Sequence, residues 1–183
     1  MSTSRENGQI PLPFKDFFCF QPRDNHDSGL AIIPVDTEEK LETIRTLFLE
    51  YARSLDFNLR FQNFDREMRH LPGGYEPPAG ALLLAGDGRQ GAGCVAMRRL
   101  DPVICEMKRL YVRPRYRGKG LGRRLAQAAI NRATACGYLK MRLDTVPSMA
   151  PAIELYTGLG FESIGPYRLN PIPGALFLER QLG

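Results

Sequence analysis

The stretch CEMKRLYVRPRYRGKGLG, Cys105 to Gly122, decides how this chain is read. It opens as a strand-like run, passes through Pro114 and ends in Arg117-Gly-Lys-Gly-Leu-Gly122; a helical pattern begins at Arg123. A strand feeding a glycine-rich turn that opens a helix is a local design for holding phosphate. The first N–H groups of a helix have no internal partner, and the helix dipole favours an anion beside them.

Charge singles out the same region. Ten basic residues lie between Arg98 and Arg124, opposed by Asp101 and Glu106, so this window is net +8, whereas the whole chain is +5. The remainder of the chain is therefore net acidic. A basic excess confined to one motif points to a local polyanion site and away from a general nucleic-acid surface.

Outward from the motif, apolar periodicity gives the order β, α, α, β, β, β, α, β, α, β, β. Leu30 to Val35 reads as a first strand. Asp36-Thr-Glu-Glu39 reads as a capping box with its acceptor at Asp36, and Leu41, Ile44, Leu47, Phe48 and Tyr51 follow at helical spacing. Asp65 to Arg69 reads as a short helix. Ala81 to Ala85 and Gly93 to Met97 are strands joined by a glycine-rich hairpin turn. Val103 to Val112 is the next strand, Gly122 to Ala135 a helix stopped by Gly137, and Leu139 to Thr145 a strand. Ser148 is a candidate cap for the helix that ends at Gly160, and Phe161 to Ile164 and Ala175 to Leu178 close the chain as strands. Early hairpins and late single-helix crossovers predict an α/β chain with one mixed sheet and helices on both faces.

The length of 183 residues predicts one domain spanning residues 30–183, preceded by a polar arm of residues 1–29 that carries the aromatic cluster Phe14, Phe17, Phe18 and Phe20. No apolar run approaches the ~20 residues of a membrane helix, and the first residues do not read as a secretory signal. Cys19, Cys94, Cys105 and Cys136 form no C-x-x-C pair and stand apart from His26 and His70, so no metal site is expected. They read as small buried thiols of a reducing compartment, and the expected location is cytoplasmic.

Three phosphate motifs compete for the turn. A P-loop needs Lys-Ser/Thr after its last glycine, and here the lysine lies between glycines. A dinucleotide fingerprint begun at Gly118 would need Gly or Ala at 123, which is Arg. The pattern [Q/R]-x-x-G-x-[G/A] is met by Arg117, Gly120 and Gly122.

With the strand Glu106 to Val112 before it and Ala152-Ile-Glu-Leu-Tyr-Thr-Gly-Leu-Gly-Phe161 about forty residues after it, this segment resembles the acetyl-CoA-binding signature of the GCN5-related N-acetyltransferase (GNAT) superfamily. The resemblance covers roughly Ile32 to Leu182 and is specific from Glu106 to Phe161. It implies a central, mostly antiparallel sheet of six to seven strands with a splayed pair, acetyl-CoA as cosubstrate without a metal, and a primary amine of a small polar molecule or a peptide as acceptor. By the same resemblance, the backbone of Leu110, Tyr111 and Val112 binds the pantetheine arm. Arg117, Gly118, Lys119, Gly120, Leu121, Gly122 and Arg123 hold the pyrophosphate. Glu106 acts as general base, directly or through water, and Tyr156 as the acid that protonates the thiolate. One departure stands out: many members carry asparagine seven residues before the tyrosine, where this chain has Met149, with Ser148 or the backbone of Asp144 and Thr145 as substitutes. Arg60, Arg98 and Arg168 are candidate receivers of an acceptor carboxylate. A monomer or homodimer without nucleic-acid or membrane partners is expected. The rival readings are an acyl-CoA-binding module without catalysis and a nucleic-acid-binding protein.

Overall fold

A computed structural model describes residues 30–86 and 90–183. The arm of residues 1–29, with Cys19 and its aromatic cluster, lies outside the described residues, as does the tip of the first hairpin. The elements in chain order are β1 (Ile32–Pro34), α1 (Glu38–Arg53), α2 (Phe64–Arg69), β2 (Ala81–Ala85), β3 (Gly93–Arg99), β4 (Ile104–Val112), α3 (Leu121–Ala135), β5 (Lys140–Thr145), α4 (Ala150–Thr157), β6 (Glu162–Ile164) and β7 (Leu176–Gln181). Short 3-10 turns precede α2, α3 and α4. The element order is the one the periodicity predicts.

Seven strands form one sheet in the order β1-β2-β3-β4-β5-β7-β6. Every neighbouring pair is antiparallel except β4 with β5. The last strand in sequence inserts between β5 and β6. Helices cover both faces, so the strands read as continuous apolar runs. In β2, Leu82 and Leu84 face a core built with α1 and α2 (Ile44, Leu47, Phe48, Phe64), while Ala81 and Ala85 face a core built with α3 and α4 (Leu121, Leu125, Ala129, Tyr156).

Two helix starts differ from expectation by local competition. In α1 the cap is Thr37, whose side chain accepts from the Lys40 N–H at 3.3 Å. Asp36 is drawn into an ion pair with Lys40 Nζ at 2.5 Å, leaving the threonine hydroxyl as the acceptor. Ser148 does not cap α4. It lies in the 3-10 turn Pro147–Met149 and reaches Asp56 Oδ1 at 3.5 Å, while α4 begins at Ala150 with Pro151 in its first turn.

β4 and β3 pair with a register shift. Cys94 lies opposite Tyr111 and Ala96 opposite Lys108, so two residues of β4, Arg109 and Leu110, face one of β3. This is a β-bulge, and Arg109 takes φ 56° to make it. The bulge shifts the alternation, so Glu106, Lys108 and Tyr111 share the α1/α2 face. On its other edge β4 pairs with β5 over only three positions, Ile104 to Glu106 against Lys140 to Arg142. Beyond Glu106 the two strands diverge, β5 continuing alone with β7 as far as Thr145. The backbone of β4 from Met107 onward is thus left without a strand partner on that edge.

Gly93 holds the start of β3 against β4. A Cβ there would lie 2.5 Å from the Tyr111 carbonyl oxygen and 3.1 Å from Leu125 Cδ1. The carbonyl is backbone and cannot swing aside. Gly93→Ala is therefore expected to lower stability by about 1–3 kcal/mol, the usual cost of overpacking, read as a reduced denaturant midpoint with unchanged slope.

Candidate active site

The turn between β4 and α3 has the geometry a phosphate needs. Gly118 and Gly120 take φ 75° and 74°, and a Cβ on either would meet nothing within 4 Å. Glycine is required there by backbone conformation, not by space. Gly120 is the N-cap of α3 and supplies no side-chain acceptor, so the first N–H groups of the helix stay available. Arg117, Gly118, Lys119 and Gly120 are exposed, whereas Leu121 is buried and anchors the helix in the core. Arg117 donates through Nε to the Val112 carbonyl at 2.8 Å and lies over the Tyr111 ring, which ties the turn to the end of β4. Arg123 donates to the Gly158 carbonyl at 3.2 Å, joining the turn to the end of α4. Arg124 reaches back to the Leu30 carbonyl at 2.9 Å. Among the described residues no group of three or more His, Cys, Asp or Glu side chains could hold a metal.

Where β4 and β5 diverge, a polar cleft opens. Tyr51 of α1, Gln62, Lys108 and Leu110 of β4, Thr145 of β5 and Tyr156 of α4 line it. The unpaired edge of β4 therefore runs from this cleft toward the glycine turn. Tyr156 is buried, packs edge-on against Phe161 at 5.8 Å, and burial raises its phenol well above the usual value. It remains protonated across the physiological range. Met149 also lines the cleft, where many relatives in the superfamily would carry asparagine. The Thr145 hydroxyl, in the same wall, is the buried side-chain polar atom left without a partner among the described residues.

Glu106 sits at the last position of β4 paired with β5 and is fully buried. Its carboxylate is held from three sides. Arg98 of β3 donates through Nε at 2.8 Å and lies within 2.7 Å through Nη2. Arg168 and the Tyr167 hydroxyl, both from the loop between β6 and β7, donate to Oε1 at 2.8 Å each. Burial opposes ionisation, but Lys108 and the two guanidiniums outweigh it, and the carboxyl is held down at about 2. A carboxylate so engaged is a weak proton acceptor near neutral pH. Arg98 and Arg168 are correspondingly spent on Glu106 and are not free to receive an acceptor's carboxylate; Arg60 remains exposed.

Next to this lock, Arg109 closes a second one. It is buried and forms a two-pronged pair with Glu67 of α2, at 2.9 and 2.6 Å, and donates to Gln62 Oε1 at 2.9 Å. Tyr75 donates to the same Glu67 at 2.7 Å. The left-handed backbone of the bulge is therefore clamped by a side-chain network on the α1/α2 face. Sequence reasoning passed over Gln62, Lys108 and Arg109 as site residues, and named Thr145 only for its backbone. The signal that could have found them is a pair of adjacent cations, Lys108 and Arg109, on a largely apolar strand, which demands polar partners from elsewhere.

The carboxylate lock has a pH signature. Because the folded value of Glu106 is depressed from the usual 4.5 to about 2, its stabilisation is present above the unfolded value and is lost as pH falls from about 5 toward 2. Glu106→Gln is expected to cost about 3 kcal/mol at pH 7, since it leaves two guanidiniums facing a neutral amide, and to flatten the acid limb of stability. Urea unfolding of both proteins from pH 7 to pH 3 reads both effects.

Residues 41–161 match the family model for the Acetyltransferase (GNAT) family. An uncharacterized N-acetyltransferase of Schizosaccharomyces pombe is 38% identical over 157 residues, spanning 85% of this chain and 96% of its own. Another from Dictyostelium discoideum is 28% identical and spans 75% and 92%. Among solved structures, an acetyltransferase from Streptococcus agalactiae shares the fold with a TM-score of 0.70 at 20% identity, over 85% of this chain and all of that one. A phosphinothricin acetyltransferase from Sinorhizobium meliloti in complex with acetyl-CoA does so with a TM-score of 0.60 at 20% identity, over 85% and 90%. Two signatures in register, the interrupted β4–β5 pair and these likenesses converge: the chain belongs to the GNAT family of acetyltransferases, enzymes that draw the acetyl group from acetyl-CoA.

Proposed function

We propose that this enzyme transfers the acetyl group directly from acetyl-CoA to a primary amine of a small polar molecule or a peptide. The observation that carries the reading is the divergence of β4 from β5 after Glu106. It leaves β4 from Leu110 through Tyr111 to Val112 with no strand partner on that edge, where an amide-bearing arm could lie. It also opens a polar cleft at the end of that edge. Arg117, Gly118, Lys119, Gly120, Leu121, Gly122 and Arg123 would hold the pyrophosphate, by backbone N–H groups and local positive charge. Asp144, in the cleft wall, carries a carboxylate that accepts from Asn170 at 2.8 Å and lies 3.7 Å from Arg168.

Transfer needs a neutral nucleophile and a protonated leaving thiol. Tyr156 suits the second task. Its phenol, kept protonated by burial, faces the cleft and can donate to the departing sulfur. No covalent enzyme intermediate is required: Cys94 and Cys105 are buried, with thiols pushed up by that burial, to about 12 for Cys105.

Incubating the protein with acetyl-CoA and a panel of amino acids, polyamines and short peptides, and reading free thiol, tests the proposal. Turnover with at least one amine, yielding the N-acetyl product by mass spectrometry, is expected; thiol release without acetylated amine would oppose it. Tyr156→Phe is expected to lower kcat by about 10- to 100-fold with CoA affinity within about twofold.

A further inference from the structure

We propose that Lys108, rather than Glu106, is the catalytic group that takes the proton from the acceptor amine. This rests on the amine-acetylation reading above and assigns a residue to its missing step.

Lys108 follows Glu106 by two positions and points to the same face of β4, opposite Ala96 of β3. Its side chain lines the cleft together with Tyr156, Leu110 and Thr145. It is only 6% exposed. An ammonium carries three donors and needs acceptors for them. Among the described residues Lys108 Nζ has one hydrogen bond, to Gln62 Oε1 at 3.0 Å, and that oxygen already accepts from Arg109 Nη1 at 2.9 Å. The carboxylate beside it, Glu106, is occupied by Arg98, Arg168 and Tyr167. A buried nitrogen with a single shared acceptor is poorly equipped to stay charged and well equipped to be a neutral amine.

The groups around it bear this out. On β4 these are Glu106 and Arg109; Arg98 comes from β3, Arg168 from the β6–β7 loop, Glu67 from α2, Asp144 from β5, Tyr51 from α1 and Tyr156 from α4. Burial is the largest influence, and Arg109, Arg168 and Arg98 act with it, while Glu106 opposes it. Together they bring Lys108 down to about 7. That is the range in which a general base both exists unprotonated and accepts a proton effectively.

The step balances as follows. Neutral Lys108 Nζ accepts one proton from the acceptor's ammonium, and the freed lone pair attacks the thioester carbonyl carbon. As the C–N bond forms, the nitrogen sheds its second proton. Collapse breaks the C–S bond, and the sulfur takes the proton of Tyr156, which the second amine proton restores. Lys108 returns its proton to solvent, the one proton released when an ammonium becomes an amide.

Two measurements on the full chain test the assignment. The first needs no acceptor. The chain has five lysines, Lys15, Lys40, Lys108, Lys119 and Lys140, so 13Cε resonances of lysine-labelled protein can be followed through pH. One resonance, absent in Lys108→Met, is expected to titrate near 7; titration of all five near ~10.4, the ordinary lysine value, would overturn the proposal. The second uses the best amine of the panel. The kcat/KM of the unaltered enzyme is expected to rise with pH through about 7, because the neutral form accumulates as pH increases. Lys108→Met and Lys108→Arg, the latter always charged, are both expected to lose 100-fold or more in kcat and to lose that limb, while binding CoA within about twofold. Unchanged rate and unchanged limb in either variant would overturn it. If no amine in the panel is acetylated by the unaltered enzyme while Lys108 still titrates near 7, the amine reading fails and the assignment of Lys108 as its base fails with it; a working enzyme with a normal lysine sinks the Lys108 assignment alone.

Discussion

The structure depends on one interruption: β4 and β5 hold together for three residues and then part. A parallel pair in mid-sheet is ordinarily continuous, since each unmatched N–H and carbonyl costs free energy when buried. Here the separation is enforced from the other edge of β4. The bulge at Arg109 changes the strand's direction and twist, and its left-handed backbone is unfavourable for a residue with a side chain. The buried guanidinium is fixed by Glu67 and Gln62, which offsets that cost and ties the bulge to the α1/α2 layer. The opened edge, the cleft and the approach to the glycine turn all follow from it.

The two sides of the sheet divide the labour. In the proposed reading the α3/α4 side supplies the cofactor end, with α3 presenting its N-terminus at the glycine turn and Arg123 tying that turn to α4. In the same proposal the α1/α2 side supplies the acceptor end, with Tyr51, Gln62 and Glu67 reaching toward β4. Tyr156 belongs to the first side and Lys108 to the second, and they meet where the strands part. The proposed proton donor and proton acceptor can thus be tuned separately, one by an apolar surround and the other by burial among cations.

Much of the fold was legible because its determinants are local. The apolar period of α1, the glycines at 118 and 120 and the stop at Gly137 each state a backbone requirement that one segment can carry. The spacing between the turn and the Tyr156–Phe161 segment added the second half of the site. What could not be read was whatever depends on partners far away in sequence. Glu106 looked like a free carboxylate because nothing near it announces Tyr167 and Arg168, some sixty residues on. Lys108 and Arg109 looked like members of a basic window, though both are buried and reach Gln62, more than forty residues earlier in the chain. The bulge was hidden for a related reason: left-handed backbone is advertised by glycine, and here an arginine adopts it. The insertion of β7 between β5 and β6 is also a matter of which strand pairs with which, and periodicity does not carry that.

Hydrogen exchange with and without CoA tests most directly whether the parted edge of β4 is where the acetyl donor lies. Slowed exchange is expected at the amides of Leu110 to Val112 and at those from Gly118 to Arg124, with little change in β1, β2 and β7. Protection elsewhere on the sheet, or protection of the glycine turn alone with β4 unaffected, would contradict a donor laid along that edge.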